Sequence, residues 1–191
     1  MNGLKKTLTG VALASILTIV LFSTIQTASA AVSFVACGTP VHDASGNVSI
    51  NNTTNMPAGI ASNDILILVD HQRDNVNSSA PVDWTNKVQG SAGTSNRLEI
   101  WYKRTTGTES AFTITHSSGS NSIATICAFR GVISIGDPFD VVGSVQSNAG
   151  SPISTAAITT VTDGAMVLHV FGSSDNNTWG TFAGVPTTQA F

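Results

Sequence analysis

The densest run of side chains able to do chemistry is Asp70-His71-Gln72-Arg73-Asp74, which sets two carboxylates, an imidazole, an amide and a guanidinium within five residues. Such a set has two readings. Arg73 and His71 could donate hydrogen bonds to the hydroxyls of a sugar or to a ligand carboxylate, or Arg73 could pair with a neighbouring Asp on a solvated surface, where an ion pair is worth little. The run follows the unbroken apolar stretch Ile65–Val69, and a loop mounted on a buried strand is a common seat for binding residues. A second polar loop, Ser173–Trp179, follows the apolar stretch Ala165–Phe171 and adds Asp175 and Trp179. The candidate ligand contacts are therefore Asp70, His71, Arg73, Asp74, Asp175 and Trp179.

Catalytic constellations are not legible. A serine hydrolase of the nucleophile-elbow type needs Gly-x-Ser-x-Gly, which does not occur. A glycosidase needs two carboxylates facing each other across a cleft. The only glutamates are Glu99 and Glu109, and Glu99, between Leu98 and Ile100, is expected to face solvent. The Asp residues fall mainly at turns, where they accept backbone N–H groups. No cofactor is implied. A loop calcium on Asp74 or Asp175 has no EF-hand spacing behind it. The planar faces of Trp84, Trp101 and Trp179 could stack on sugar rings; size argues that Trp84 and Trp101 are core, while Trp179, in a Gly-, Asn- and Ser-rich loop, is the exposed one. His169 reads as a hydrogen-bonded core residue.

The first thirty residues decide where this chemistry would take place. Lys5 and Lys6 precede the apolar run Val11–Phe22, and Ala28-Ser29-Ala30 offers the small residues of a cleavage site, so residues 1–30 read as a signal peptide and the chain as secreted. A permanent anchor would need about 20 apolar residues, and this run breaks at Ser23-Thr24. A lipoprotein would need Cys37 much closer to the run, and a pilin-type leader would need a basic residue where Thr9 stands. Cleavage leaves 161 of the 191 residues, enough for one domain at 31–191. Six Lys and Arg then remain against eleven Asp and Glu, a formal charge of −5, which argues against nucleic acid as a partner. Export permits a disulfide between Cys37 and Cys127, the only cysteines; it would close a loop of about 90 residues and contribute about 4 to 5 kcal/mol. Two buried thiols are the alternative.

No segment after residue 30 carries helical periodicity beyond two turns, whereas short β-rich runs alternate with turn clusters. Strands are predicted at Val32–Cys37, Val48–Ile50, Ile65–Val69, Trp84–Val88, Arg97–Lys103, Ala111–Thr115, Ser122–Phe129, Val141–Val145, Ala157–Val161 and Ala165–Phe171. This is an all-β, two-layer antiparallel β-sandwich. Ile65–Val69 and Ala165–Phe171 are apolar at every position and are predicted to be central strands, buried together with both faces covered. Similar approaches to these two runs suggest a duplication of about 100 residues. The chain stops at Thr187–Phe191 as though another strand were starting, and the expectation is that it is the N-terminal part of a longer open reading frame.

Pro57–Asp64 before an apolar strand, Pro81–Thr85, Trp101–Lys103, Ala128–Val132 and Asp137–Asp140 together resemble the jelly-roll-like β-sandwich modules of phage tail and fibre proteins and of large secreted or surface bacterial proteins. Asn63-Asp64 stands where such modules usually have Gly-Asp, and Val82-Asp83 where a small residue and Gly usually precede the Trp. The resemblance implies binding or structural roles outside the cell and brings no catalytic residues. Its leading functional expectation is a non-catalytic module for surface adhesion or glycan binding, with a polysaccharide or cell-surface glycan as partner. The alternative is an assembly subunit of an extracellular appendage or multidomain surface protein, packed on neighbouring modules; a glycosidase or lyase comes a distant third.

Overall fold

A computed structural model describes residues 31–79, 81–91, 93–118, 121–147 and 154–173. The signal segment, Asp175 and Trp179 lie outside these residues. The described chain is all-β, and every strand pairing is antiparallel. The strands are β1 Ser33–Cys37, β2 Val41–Asp43, β3 Val48–Ile50, β4 Ile65–Gln72, β5 Thr85–Ser91, β6 Arg97–Arg104, β7 Phe112–Ile114 and β8 Ser122–Arg130. One sheet runs β1-β8-β4-β6-β5, with β2 also on β8, and the second is the pair β3-β7.

β4 is central because it has a long partner on each side: Ile65–Gln72 pairs residue for residue with Arg104–Arg97 of β6 and with Phe129–Ser122 of β8. Strand alternation then divides its apolar run between two faces. Leu66 and Leu68 join Trp101, Ile126 and Ala128 in a core closed by Val48, Ile50 and Ile114 of the small sheet. Ile65 and Ile67 look the other way and pack with Ile100, Tyr102, Phe129, Val132 and Phe139. Both faces of β4 are covered, as the unbroken apolar pattern requires.

Cys37 and Cys127 are register partners on β1 and β8 and form a disulfide. The turns before β4 and β5 keep left-handed backbone without glycine: Asn63 has φ 74° and Asp83 φ 66°. Asn and Asp tolerate this region because their short polar side chains bond locally. The next residue, Asp64, is buried and accepts a two-pronged hydrogen bond from Arg130, at 2.8 Å from Nε and 2.7 Å from the terminal nitrogen. This ties the entry of β4 to the exit of β8, and the Arg130 bonds hold the Asp64 carboxyl below its usual range.

Four expectations need correction. Val141–Val145, Ala157–Val161 and Ala165–Phe171 form no strands; residues 131–147 and 154–173 run as an irregular strap across the Ile67 face. Ala165–Phe171 is not buried beside β4 either: Met166, Val167 and Leu168 are 42, 43 and 46 % exposed. The strap gives these residues neither a ladder partner nor a second covering layer, so the proposed duplication finds no repeat of the β4 ladder among the described residues. Finally, β2 exists although three residues, Val-His-Asp, are too few to show a period. The expected interior place of Ile65–Val69, with both faces covered, did occur.

Candidate functional site

The alternation that buries Leu66 and Leu68 also carries Asp70 and Gln72 into the same interior, correcting their placement in a loop; His71, also within β4, turns to the opposite face. Asp70 and Gln72 are 0 and 1 % exposed. Asp70 Oδ2 is a hub that accepts from Ser78 Oγ at 2.5 Å, His116 Nε2 at 3.0 Å and Gln72 Nε2 at 3.2 Å. Gln72 Nε2 also donates to Ser78 Oγ at 2.7 Å. The register partner of Asp70 on β6 is Glu99, which is fully buried rather than solvent-facing and is held by Arg97 from two residues away on the same strand. A buried carboxylate needs such a partner, because desolvation otherwise drives it to its neutral form.

Ser78, His116 and Asp70 do not form a hydrolytic relay. In that mechanism the serine hydroxyl bonds the imidazole, and the other ring nitrogen bonds the carboxylate. Here both Ser78 and His116 donate to one oxygen of Asp70, so the imidazole does not stand between hydroxyl and carboxylate as the relay requires. The network ties β4, the segment at Ser78 and His116, two residues beyond β7, into one unit. Its parts lie far apart in sequence, at 70, 78, 97, 99 and 116; the only legible signal was the parity of Asp70 and Gln72 with Leu66 and Leu68.

Of the five-residue run, Arg73 is exposed at the start of the loop, with its backbone N–H on Asn121 O at 3.1 Å. Asp74 is half-buried beside it. His71 bonds Asn96 Oδ1 through Nε2, and burial holds its pKa below the ordinary value. Trp84 and Trp101 are 7 and 5 % exposed, so both serve the core rather than a sugar-stacking surface. His169 is half-buried in the strap, where Nδ1 meets Thr155 Oγ1 at 3.1 Å and the ring stacks on Phe171. Among the described residues, no three His, Cys, Asp or Glu side chains converge as a metal site, and no helix is long and apolar enough to cross a membrane.

On the opposite face lies a feature the sequence did not show. Between the sheet and the strap is a cavity of about 690 Å³, walled by Ile67, Val88 and Ile100 below and by Val145, Ile158 and Leu168 above. The strap meets the sheet closely where a side chain is missing: Gly90 of β5 lies against Val145, and Gly172 of the strap lies against the His71 ring. Asp140 secures the strap to itself, accepting from the backbone N–H groups of Val161 at 2.6 Å and Thr162 at 3.2 Å and from Thr162 Oγ1 at 2.7 Å. Compared with known proteins, the chain matches no family model, no curated protein and no solved structure.

Proposed function

We propose that this chain is an exported, non-catalytic β-sandwich module that serves as a structural or assembly subunit at the cell exterior. Export is inferred from the charge, apolar run and Ala28-Ser29-Ala30 of the leader. The observation that supports assembly is the strap: Met166, Val167 and Leu168 form a half-exposed apolar run in backbone without a strand ladder. Backbone outside a strand ladder among the described residues, next to apolar side chains, is a suitable substrate for strand addition by another copy or another module. Glycan adhesion has less support, because Trp84, Trp101, Asp70 and Gln72 are buried in the interior and, of the run Asp70–Asp74, only Arg73 stands exposed.

Size-exclusion chromatography with light scattering on residues 31–191 tests this reading. An oligomer that the double variant Val167→Lys/Leu168→Lys dissociates, with the fold intact by circular dichroism, is the expected result. A monomer that is retained on a polysaccharide column, with retention lost in Arg73→Ala, would replace assembly by glycan adhesion.

A further inference from the structure

The cavity under the strap is large enough to hold a ligand. The strap approaches the sheet closely at two places, Val145 against Gly90 and Gly172 against the His71 ring, and the described residues on either side line the space between strap and sheet. Its volume of about 690 Å³ lies within the ~300–1,000 Å³ of small-molecule sites. At about 30 Å³ per small group in a condensed phase, it has room for roughly twenty non-hydrogen atoms.

The charges around it restrict what can enter. Among the described residues, the wall includes Asp137, Asp140 and Asp163 and no Lys or Arg. Lys87 stands nearby but is already held by Asp137 and lies 5.1 Å from the centre of the Phe139 ring. An anionic head would therefore find no cationic partner in this wall and would face three carboxylates, in a setting where a buried charge needs a partner. A cationic head fares little better: the Asp140 carboxylate is bound by Val161 and Thr162, that of Asp137 by Lys87 and the Phe139 N–H, and Asp163 is exposed to solvent, where an ion pair is worth little. Neutral polar groups are present, with Asn96 and His169 in the wall, which suit a hydroxyl but not an ion.

We propose that the cavity between the sheet face of Ile67 and Ile100 and the strap binds an uncharged, largely aliphatic molecule with at most a hydroxyl head, such as a long-chain alcohol. The site shares Leu168 with the exposed run of the assembly reading but does not rest on that reading, since its floor is the sheet face of Ile67, Val88 and Ile100.

The test uses 1-decanol and decanoate, equal in chain length and different in charge, with residues 31–191 at pH 7.5 and both probes below their aggregation limits. Decanol at saturation is expected to raise the melting temperature by about 5 °C, and decanoate is expected to leave it unchanged. Ala165→Phe and Val88→Phe, which fill the cavity from above and below, should each abolish the decanol shift while melting cooperatively; two variants on opposite walls guard against one that fails to fold. No shift with decanol, an equal shift with decanoate, or an undiminished decanol shift in both folded variants would overturn the proposal. So would decanol dissociating an oligomer without stabilising the released monomer, because the cavity would then be the seat of a second copy.

Discussion

Ile65–Gln72 and Ala165–Phe171 begin with nearly the same chemistry and end in different structures. Each opens with consecutive apolar residues, and each carries a histidine near its end. The first lies between two long partners, shares eight rungs with each, and buries both faces. The second belongs to a strap with no strand and leaves its apolar residues nearly half exposed. The difference teaches that an unbroken apolar run defines a strand only when the chain also supplies neighbours of matching length. Arg97–Arg104 and Ser122–Arg130 do so for β4; among the described residues, nothing does so for Ala165–Phe171.

Breaking the β4 side should have the largest effects. Replacing both Cys37 and Cys127 by Ala removes the link across 90 residues between β1 and β8 and should destabilise the protein by about 4 to 5 kcal/mol in the chain-entropy treatment; urea unfolding with and without reductant measures it. Asp70→Ala leaves Ser78 and His116 without their acceptor and Gln72 with only Ser78, and should cost roughly 3 to 5 kcal/mol. Leu68→Ala should cost about 2 to 5 kcal/mol as a core truncation, whereas Leu168→Ala in the strap should cost under about 1 kcal/mol. Equal losses at Leu68 and Leu168 would erase the contrast between the two runs.

A smaller effect distinguishes the faces of β4. Burial lowers the pKa of His71 in the folded state, so the unfolded chain takes up that proton first as pH falls. The resulting stability is present above about 6.5, the ordinary value, and is lost as pH drops from there through the folded-state pKa. The depressed Asp64 carboxyl adds a separate loss, starting near 3.8 and growing as pH falls through its own lowered value. His71→Gln should flatten the first decline and leave the second, as read from melting temperatures between pH 7.5 and 3. Smallest of all, Asn63→Gly should change stability by less than about 0.5 kcal/mol, while Asn63→Val, forced into left-handed backbone, should cost about 1 to 2 kcal/mol.

The all-β class and most of the ladder were legible, because β1, β3, β6 and β8 have the composition of strands, β4 has its unbroken apolar run, and clear turn clusters lie between them. The geometry of the turns before β4 and β5 was not legible; Asn63 and Asp83 prove to occupy left-handed backbone there. Nor was the site. Glu99 read as solvent-facing because Leu98 and Ile100 flank it, yet they line one face and Glu99 turns to the other, where it is buried and paired with Arg97. Which face a small second sheet covers is a tertiary fact that no local pattern carries. The cavity was equally hidden, since it depends on glycines 90 and 172 meeting side chains more than fifty residues away.

The most direct test of the difference between ladder and strap is amide hydrogen exchange on residues 31–191, at a concentration where the chain is monomeric. Amides of Leu66, Leu68 and Asp70 should exchange only through global unfolding, and those of Val167, Leu168 and Val170 should exchange orders of magnitude faster. Protection at residues 165–171 as high as at residues 65–72 would mean that the second apolar run is a ladder strand of the monomer, and would contradict the account.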